Sequence, residues 1–211
     1  MTGTVTFLCS DIEGSTQLLK QLGRDRYAGV LADQRGLLRE VFAAHGGEEV
    51  DTQGDSFLVA FRSAEDALRG AVEAQRAVAV HDWPDGSDLR VRIGIHSGDA
   101  DSSDGRYVGL AVHRAARIGA TAHGGQVLVS SATRELVEDD LGDGISLVDV
   151  GTVRLKDFDR PERIAQVEAP GLEQGFPALA AIEKGESPFV EIKPMVRIRW
   201  SELRQRLRKR K

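Results

Sequence analysis

The chain has 211 residues, enough for one well-buried core and a short appendage. Hydrophobic residues make up 41% and charged residues 29%, the balance of a soluble globular protein, and the single cysteine, Cys9, excludes an internal disulfide. The net charge of −5 conceals an acidic body: residues 197–211 carry eight Lys or Arg and one acid, which leaves 20 bases against 32 acids and excludes a general nucleic-acid binder with a basic face.

Taken in chain order, MTGTVTFLCSDIEGS has no basic flank and no apolar run of membrane length. That predicts neither a signal peptide nor a span, and a cytoplasmic location. Residues 4–10 (TVTFLCS) read as a buried strand that delivers Asp11 at its end. Ser15 or Thr16 is the expected cap of a short helix over 17–22, followed by a long amphipathic helix from Arg24 to Ala44, stopped by Gly46-Gly47. EEVDTQGDSFLVAF has the pattern of a β-hairpin with its tip at Gly54.

The alanine-rich stretch 63–80 predicts a second long helix, and the alternation in LRVRIGIH (89–96) predicts a strand with one buried face. A loop over 97–106 leads to a helix over 109–122. Strands follow at 126–129, 145–150, 153–155 and 164–168, with a short helix at 132–137. This order predicts an α+β fold: a ferredoxin-like core with extensions, its helices on one face of a mostly antiparallel sheet. Residues 1–169 form the expected domain, 170–194 a linker richer in Pro and Gly, and 195–211 a basic tail. The tail reads as solvated, with contact to anionic lipid as the alternative and contact to nucleic acid a weaker one.

Two aspartates at the ends of neighbouring elements, Asp11 and Asp55, are what a two-metal phosphoryl-transfer site needs, because hard oxygen ligands hold Mg²⁺. Two such residues beside glycines are also what ordinary turns contain. The surrounding segments decide between these readings. FLCSDIEGST, VDTQGDSFLVAF, VRIGIHSG, VGLAVHRAARIGATAHGGQVLVS and VRLKDFDRPERI, in this order over about residues 4–168, resemble the class III adenylate/guanylate cyclase catalytic domain.

The resemblance implies a homodimer whose sites lie between subunits, a nucleoside triphosphate substrate and two Mg²⁺ or Mn²⁺ ions per site. It assigns the metals to Asp11 and Asp55, with the backbone carbonyl of Ile12 as a further ligand. Arg92 matches a triphosphate-contacting arginine on the metal-bearing subunit, and Lys156 the lysine that reaches the triphosphate from the other. Arg117 matches the arginine that stabilises charge on the α-phosphate in the transition state.

Three positions depart from the family's usual residues. His113 stands where active members carry a ribose-orienting asparagine, which implies either imperfect substitution or reduced activity. Asp51 and Arg106 stand at the base-reading positions, where adenine-selective members have a lysine and an acid or threonine. An acid suits guanine's N1 and N2 donors and an arginine its O6 or N7. The alternative is that the two close the base pocket as an ion pair and read nothing. The family's bacterial members favour ATP, the base-site chemistry favours GTP, and a degenerate domain that only binds nucleotide or dimerises as a regulatory module is the remaining reading.

Overall fold

The computed structural model describes residues 2–103, 106–142 and 144–179. The elements are β1 (Thr2–Ile12), α1 (Ser15–Leu22), α2 (Arg24–Ala44), β2 (Glu48–Gln53), β3 (Ser56–Phe61), α3 (Ala64–Val80), β4 (Val91–Ser103), β5 (Arg106–Val108), α4 (Leu110–Thr121), β6 (Val127–Ser130), α5 (Ser131–Val137), β7 (Ser146–Val153) and β8 (Glu162–Glu168). Strand order is β2-β3-β1-β4-β6-β8-β7, with β5 paired to β4. Every pairing is antiparallel except β4 with β6. The α+β class and the mostly antiparallel sheet agree with the sequence. Among the described residues no helix is long and apolar enough to cross a membrane.

The helices do not share one face, which corrects that expectation. Side chains alternate across a strand. Leu8, Val59, Ile93 and Ile95 therefore meet Val30 and Leu38 of α2 and Leu68 and Ala71 of α3 on one side. Phe7, Cys9, Leu58 and Ala60 meet Ala111, Val112, Ala115 and Ala116 of α4 on the other. With β1 and β3 apolar on both faces, both faces need cover. The small residues of α4 let it lie close to the sheet where Gly94 and Gly119 touch.

Three local expectations are also corrected. The segment 97–106 is not a loop: β4 continues to Ser103 and turns back as β5, with Asp101 opposite Val108. Its Gly- and Asp-rich composition hid the hairpin because, among the described residues, only Ala100 and Tyr107 join the apolar core there. The strands expected at 145–150 and 153–155 are one strand, β7, with a register shift between Asp149 and Gly151. Helix α1 starts after Gly14 in a left-handed conformation (φ 65°) with no side-chain cap.

Residues 170–179 have neither helix nor strand, yet they are fastened to the domain. Arg76 donates to the Pro170 carbonyl (3.0 and 2.7 Å), Arg90 pairs with Glu173, and the His123 ring stacks on Phe176. The basic tail lies outside the described residues.

Candidate active site

The end of β1 and the start of β4 are joined by register: Asp11 lies directly opposite Arg92. That cross-strand pairing makes a bidentate ion pair, with Arg92 Nε donating to Asp11 Oδ1 (2.8 Å) and an Nη of Arg92 to Oδ2 (2.5 Å). Asp11 is 3% exposed. Burial pushes its carboxyl up to about 6, against the opposing pull of Arg92 and with Asp55 adding to the rise.

Asp55 comes from the β2–β3 turn, just after Gly54, whose φ of 58° is the left-handed conformation a tight turn needs. Its Oδ2 accepts the backbone N–H of Ile12 at 3.0 Å, which ties the turn to the end of β1. Helix α2 holds the same turn from behind. Arg35 Nε donates to the Gly54 carbonyl (2.9 Å) and Gln34 Nε2 to the Asp55 carbonyl (3.4 Å). Neither residue was a candidate in the sequence. The signal was there: Gln34 falls on the buried stripe Val30, Gln34, Leu38, Phe42, where a polar residue needs a reason.

Among the described residues no cluster of three or more His, Cys, Asp or Glu could hold a metal by itself. The donor set nevertheless suits Mg²⁺ or Mn²⁺. Mg²⁺ is usually held by one or two carboxylates, with waters and substrate phosphates completing its shell. Asp11 and Asp55 supply two carboxylates, the Ile12 carbonyl is adjacent in the chain, and a cationic group already sits on both oxygens of Asp11.

A second group of predicted residues gathers around α4. Arg117 donates to Asp157 Oδ2 (2.7 Å), and Asp157 adopts a positive φ of 66° directly after Lys156. One turn earlier Arg114 reaches Glu162 (2.5 Å) and lies over the Phe158 ring (4.5 Å). These contacts bring Arg117 and the loop carrying Lys156 together. His113 is exposed on α4, four residues before Arg117 and therefore on the same helix face.

The two base-position residues are not brought together by any described contact. Asp51 turns back on its own strand and accepts from the Thr52 N–H and from Gln53 Nε2, both at 2.9 Å. Arg106 pairs through its backbone with Ser103; its side chain lies outside the description.

His96, in the IHSG segment, belongs to a buried network rather than to the site. Its Nδ1 meets Ser130 Oγ (2.8 Å), and Ser130 continues to Thr133, Ser97 and Thr6. Burial, then Arg114, lowers its imidazole from 6.5 to about 4. The folded chain thus takes up this proton later than the unfolded chain. The stabilisation, about 3 kcal/mol, is whole above the unfolded value and is lost as pH falls towards the folded one. Denaturant titrations at pH of about 7.5 and about 4.5 should show the parent losing some 2–3 kcal/mol more than His96→Gln between the two. Equal losses would contradict a neutral buried imidazole.

Comparison with known proteins settles the family. The adenylate and guanylate cyclase catalytic domain is matched over residues 1–166. The chain belongs to this family. A protein of Mycobacterium tuberculosis without an assigned function is 38% identical over 180 residues, covering 84% of this chain and 60% of that protein. The chain thus spans about 60% of the length of these curated mycobacterial relatives. A Trypanosoma brucei adenylate cyclase, solved in its monomeric state, superposes with a TM-score of 0.75 at 28% identity, covering 86% of this chain and 96% of that one. An adenylate/guanylate cyclase/hydrolase from Silicibacter pomeroyi gives 0.68 at 32% identity, covering 81% and 98%. The candidate site residues fall into two groups in this structure, Asp11, Arg92 and Asp55 in one and Arg117 with the loop carrying Lys156 in the other.

Proposed function

We propose that this cyclase domain converts a nucleoside triphosphate into its 3′,5′-cyclic monophosphate and pyrophosphate, at sites shared by two copies of the chain. The observation that carries the reading is the division of charge. The carboxylates gather at the end of β1 and the β2–β3 turn, and the phosphate-seeking cations gather on α4 and the loop after β7. Arg92 in the first group and Asp157 in the second are each paired inside their own group, so the division concerns the residues that the family resemblance assigns to cations and to phosphate. Val108 and Leu110, 73% and 70% exposed, stand just before His113 and offer apolar surface for a second copy to cover.

In this reading the ribose 3′-hydroxyl attacks the α-phosphorus in line and pyrophosphate leaves. Mg²⁺ or Mn²⁺ held by Asp11, Asp55 and the Ile12 carbonyl would supply charge neutralisation and a more acidic hydroxyl. Arg92 binds triphosphate oxygens from the carboxylate-bearing subunit. From the partner, Lys156 binds the triphosphate, His113 contacts the ribose, and Arg117 holds its fixed charge against the α-phosphate as negative charge develops there. Residues 1–169 are the catalytic unit, followed by the linker and the basic tail, and the expected compartment is the cytoplasm.

Base choice follows from Asp51 and Arg106. With two donors of its own turn already on Asp51, the carboxylate keeps lone pairs for guanine's N1 and N2 and repels the acceptor N1 of adenine. Relaxed selectivity or a tilt toward GTP is expected, against the ATP preference of bacterial relatives. Turnover of both triphosphates in Mg²⁺ and in Mn²⁺ tests the activity. The double variant Asp51→Lys with Arg106→Asp should raise the ATP-to-GTP ratio of kcat/KM by roughly ten- to a hundred-fold, the value of one good bidentate contact. An unchanged ratio in a parent that strongly prefers ATP would mean that neither residue meets the base. The second reading, a nucleotide-binding module without turnover, rests on His113 at the ribose position; binding of either triphosphate with no cyclic product in either metal would establish it.

A further inference from the structure

The Arg92–Asp11 pair presents a conflict within the proposed site. Both oxygens of Asp11 are taken by one guanidinium, and both side chains are largely withdrawn from water, at 13% and 4% exposed. Yet Asp11 is the residue on which the proposed reading rests its cations, and Arg92 the residue it turns toward the triphosphate.

We infer that Arg92 is an exchanging group: in the empty site its fork occupies Asp11 in place of a divalent cation, and it passes to the triphosphate when the cation takes the carboxylate. The inference rests on the reading of Asp11 as a cation ligand. Three features carry it. A guanidinium fork matches a carboxylate and a phosphate equally well, so the exchange trades one bidentate partner for another without losing hydrogen bonds. The pairing is fixed by strand register, which keeps the Arg92 backbone in place while only its side chain swings. The neighbouring carboxylate, Asp55, is held independently by the Ile12 N–H and by α2 behind its turn, so it stays in position throughout.

A consequence is an order of binding. Cation alone must displace Arg92 from both oxygens of Asp11, so cation alone binds weakly. Cation with triphosphate gives the evicted fork its new partner, so the two ligands bind cooperatively through this side chain. The site then guards its own carboxylates until the complete substrate arrives.

The test uses the full chain and needs no turnover. Mn²⁺ alone is titrated by electron paramagnetic resonance into the parent, Arg92→Gln, Arg92→Lys and Asp55→Asn. Arg92→Gln removes the competing charge and should bind Mn²⁺ about tenfold more tightly than the parent, the equivalent of one lost charge-assisted contact. Arg92→Lys, which keeps charge but loses the fork, should lie between. In parallel, the Arg92 Nε–H resonance of chain labelled with ¹⁵N-arginine, assigned by its absence in Arg92→Lys, should be protected from exchange in the metal-free state. It should shift and lose protection at saturating Mg²⁺, and shift again when a non-cyclisable triphosphate analogue is added. If Mn²⁺ binds the parent and is lost in Asp55→Asn, but Arg92→Gln and Arg92→Lys bind no tighter and the resonance does not move with Mg²⁺, the exchange is wrong while the cation site stands. If neither the parent nor Arg92→Gln binds Mn²⁺, the cation site falls and the exchange with it.

Discussion

Asp55→Ala and Asp11→Ala should both abolish cyclic-nucleotide formation, by about a thousand-fold or more, because each removes one of two cation-holding carboxylates from a reaction that depends on charge neutralisation. The two should differ sharply in stability. Asp55 accepts one backbone N–H, from Ile12, so its loss costs about 1–2 kcal/mol. Asp11 is the partner of a guanidinium whose side chain is only 13% exposed, and its loss strands that charge, at a cost of about 3–5 kcal/mol. Denaturant titration separates the two, and turnover assays with a chelator control give the activity. Turnover in either variant at the parental rate would remove these residues from the chemistry.

Among the described glycines, Gly94→Ala should be the most destabilising alanine substitution. A Cβ at Gly94 would stand 2.1 Å from the Gly119 nitrogen, 2.6 Å from its Cα and 2.7 Å from the Ala115 carbonyl oxygen. All three are backbone atoms of α4, so no side chain can turn aside; the helix must lift from the sheet. Overpacking of this kind costs about 3 kcal/mol or more, which for a chain of this size lowers Tm by roughly 6–12 °C. The contrast is Gly36→Ala on α2, where nothing lies within 4 Å of the added methyl. That change should stabilise the exposed helix by roughly 0.5–1 kcal/mol. Equal melting temperatures for Gly94→Ala and the parent would contradict the close seating of α4.

Much of the site was legible in the chain because its pieces are local. The strand delivering Asp11, the Gly54 turn before Asp55 and the Arg117 helix each announce themselves within a few residues. What the sequence hid is set by long-range pairing. Asp11 and Arg92 are 81 residues apart, and only the β1–β4 register makes them neighbours. A one-residue slip would turn Arg92 to the other face. Gln34 and Arg35 were missed for the same reason, since their partners are turn carbonyls that the sequence does not name. The hairpin after Ser97 was lost because its polar strands carry almost no apolar alternation. The seating of α4 on the far face was lost because an alanine-rich helix shows no preference for one face of a sheet buried on both.

In the proposed arrangement one catalytic site is assembled from two chains, with Asp11 and Asp55 from one and Arg117 and Lys156 from the other. The most direct measurement mixes two inactive variants, Asp55→Ala and Arg117→Ala, and follows cyclic-nucleotide formation as heterodimers form. A heterodimer keeps one intact site, with the unmutated carboxylates of the Arg117→Ala chain facing the unmutated arginine of the Asp55→Ala chain. With random pairing half of the dimers are mixed and each carries one of two sites, so roughly a quarter of parental activity should return. Heterodimers that form and stay inactive, beside an active parent, would mean that each site belongs to a single chain.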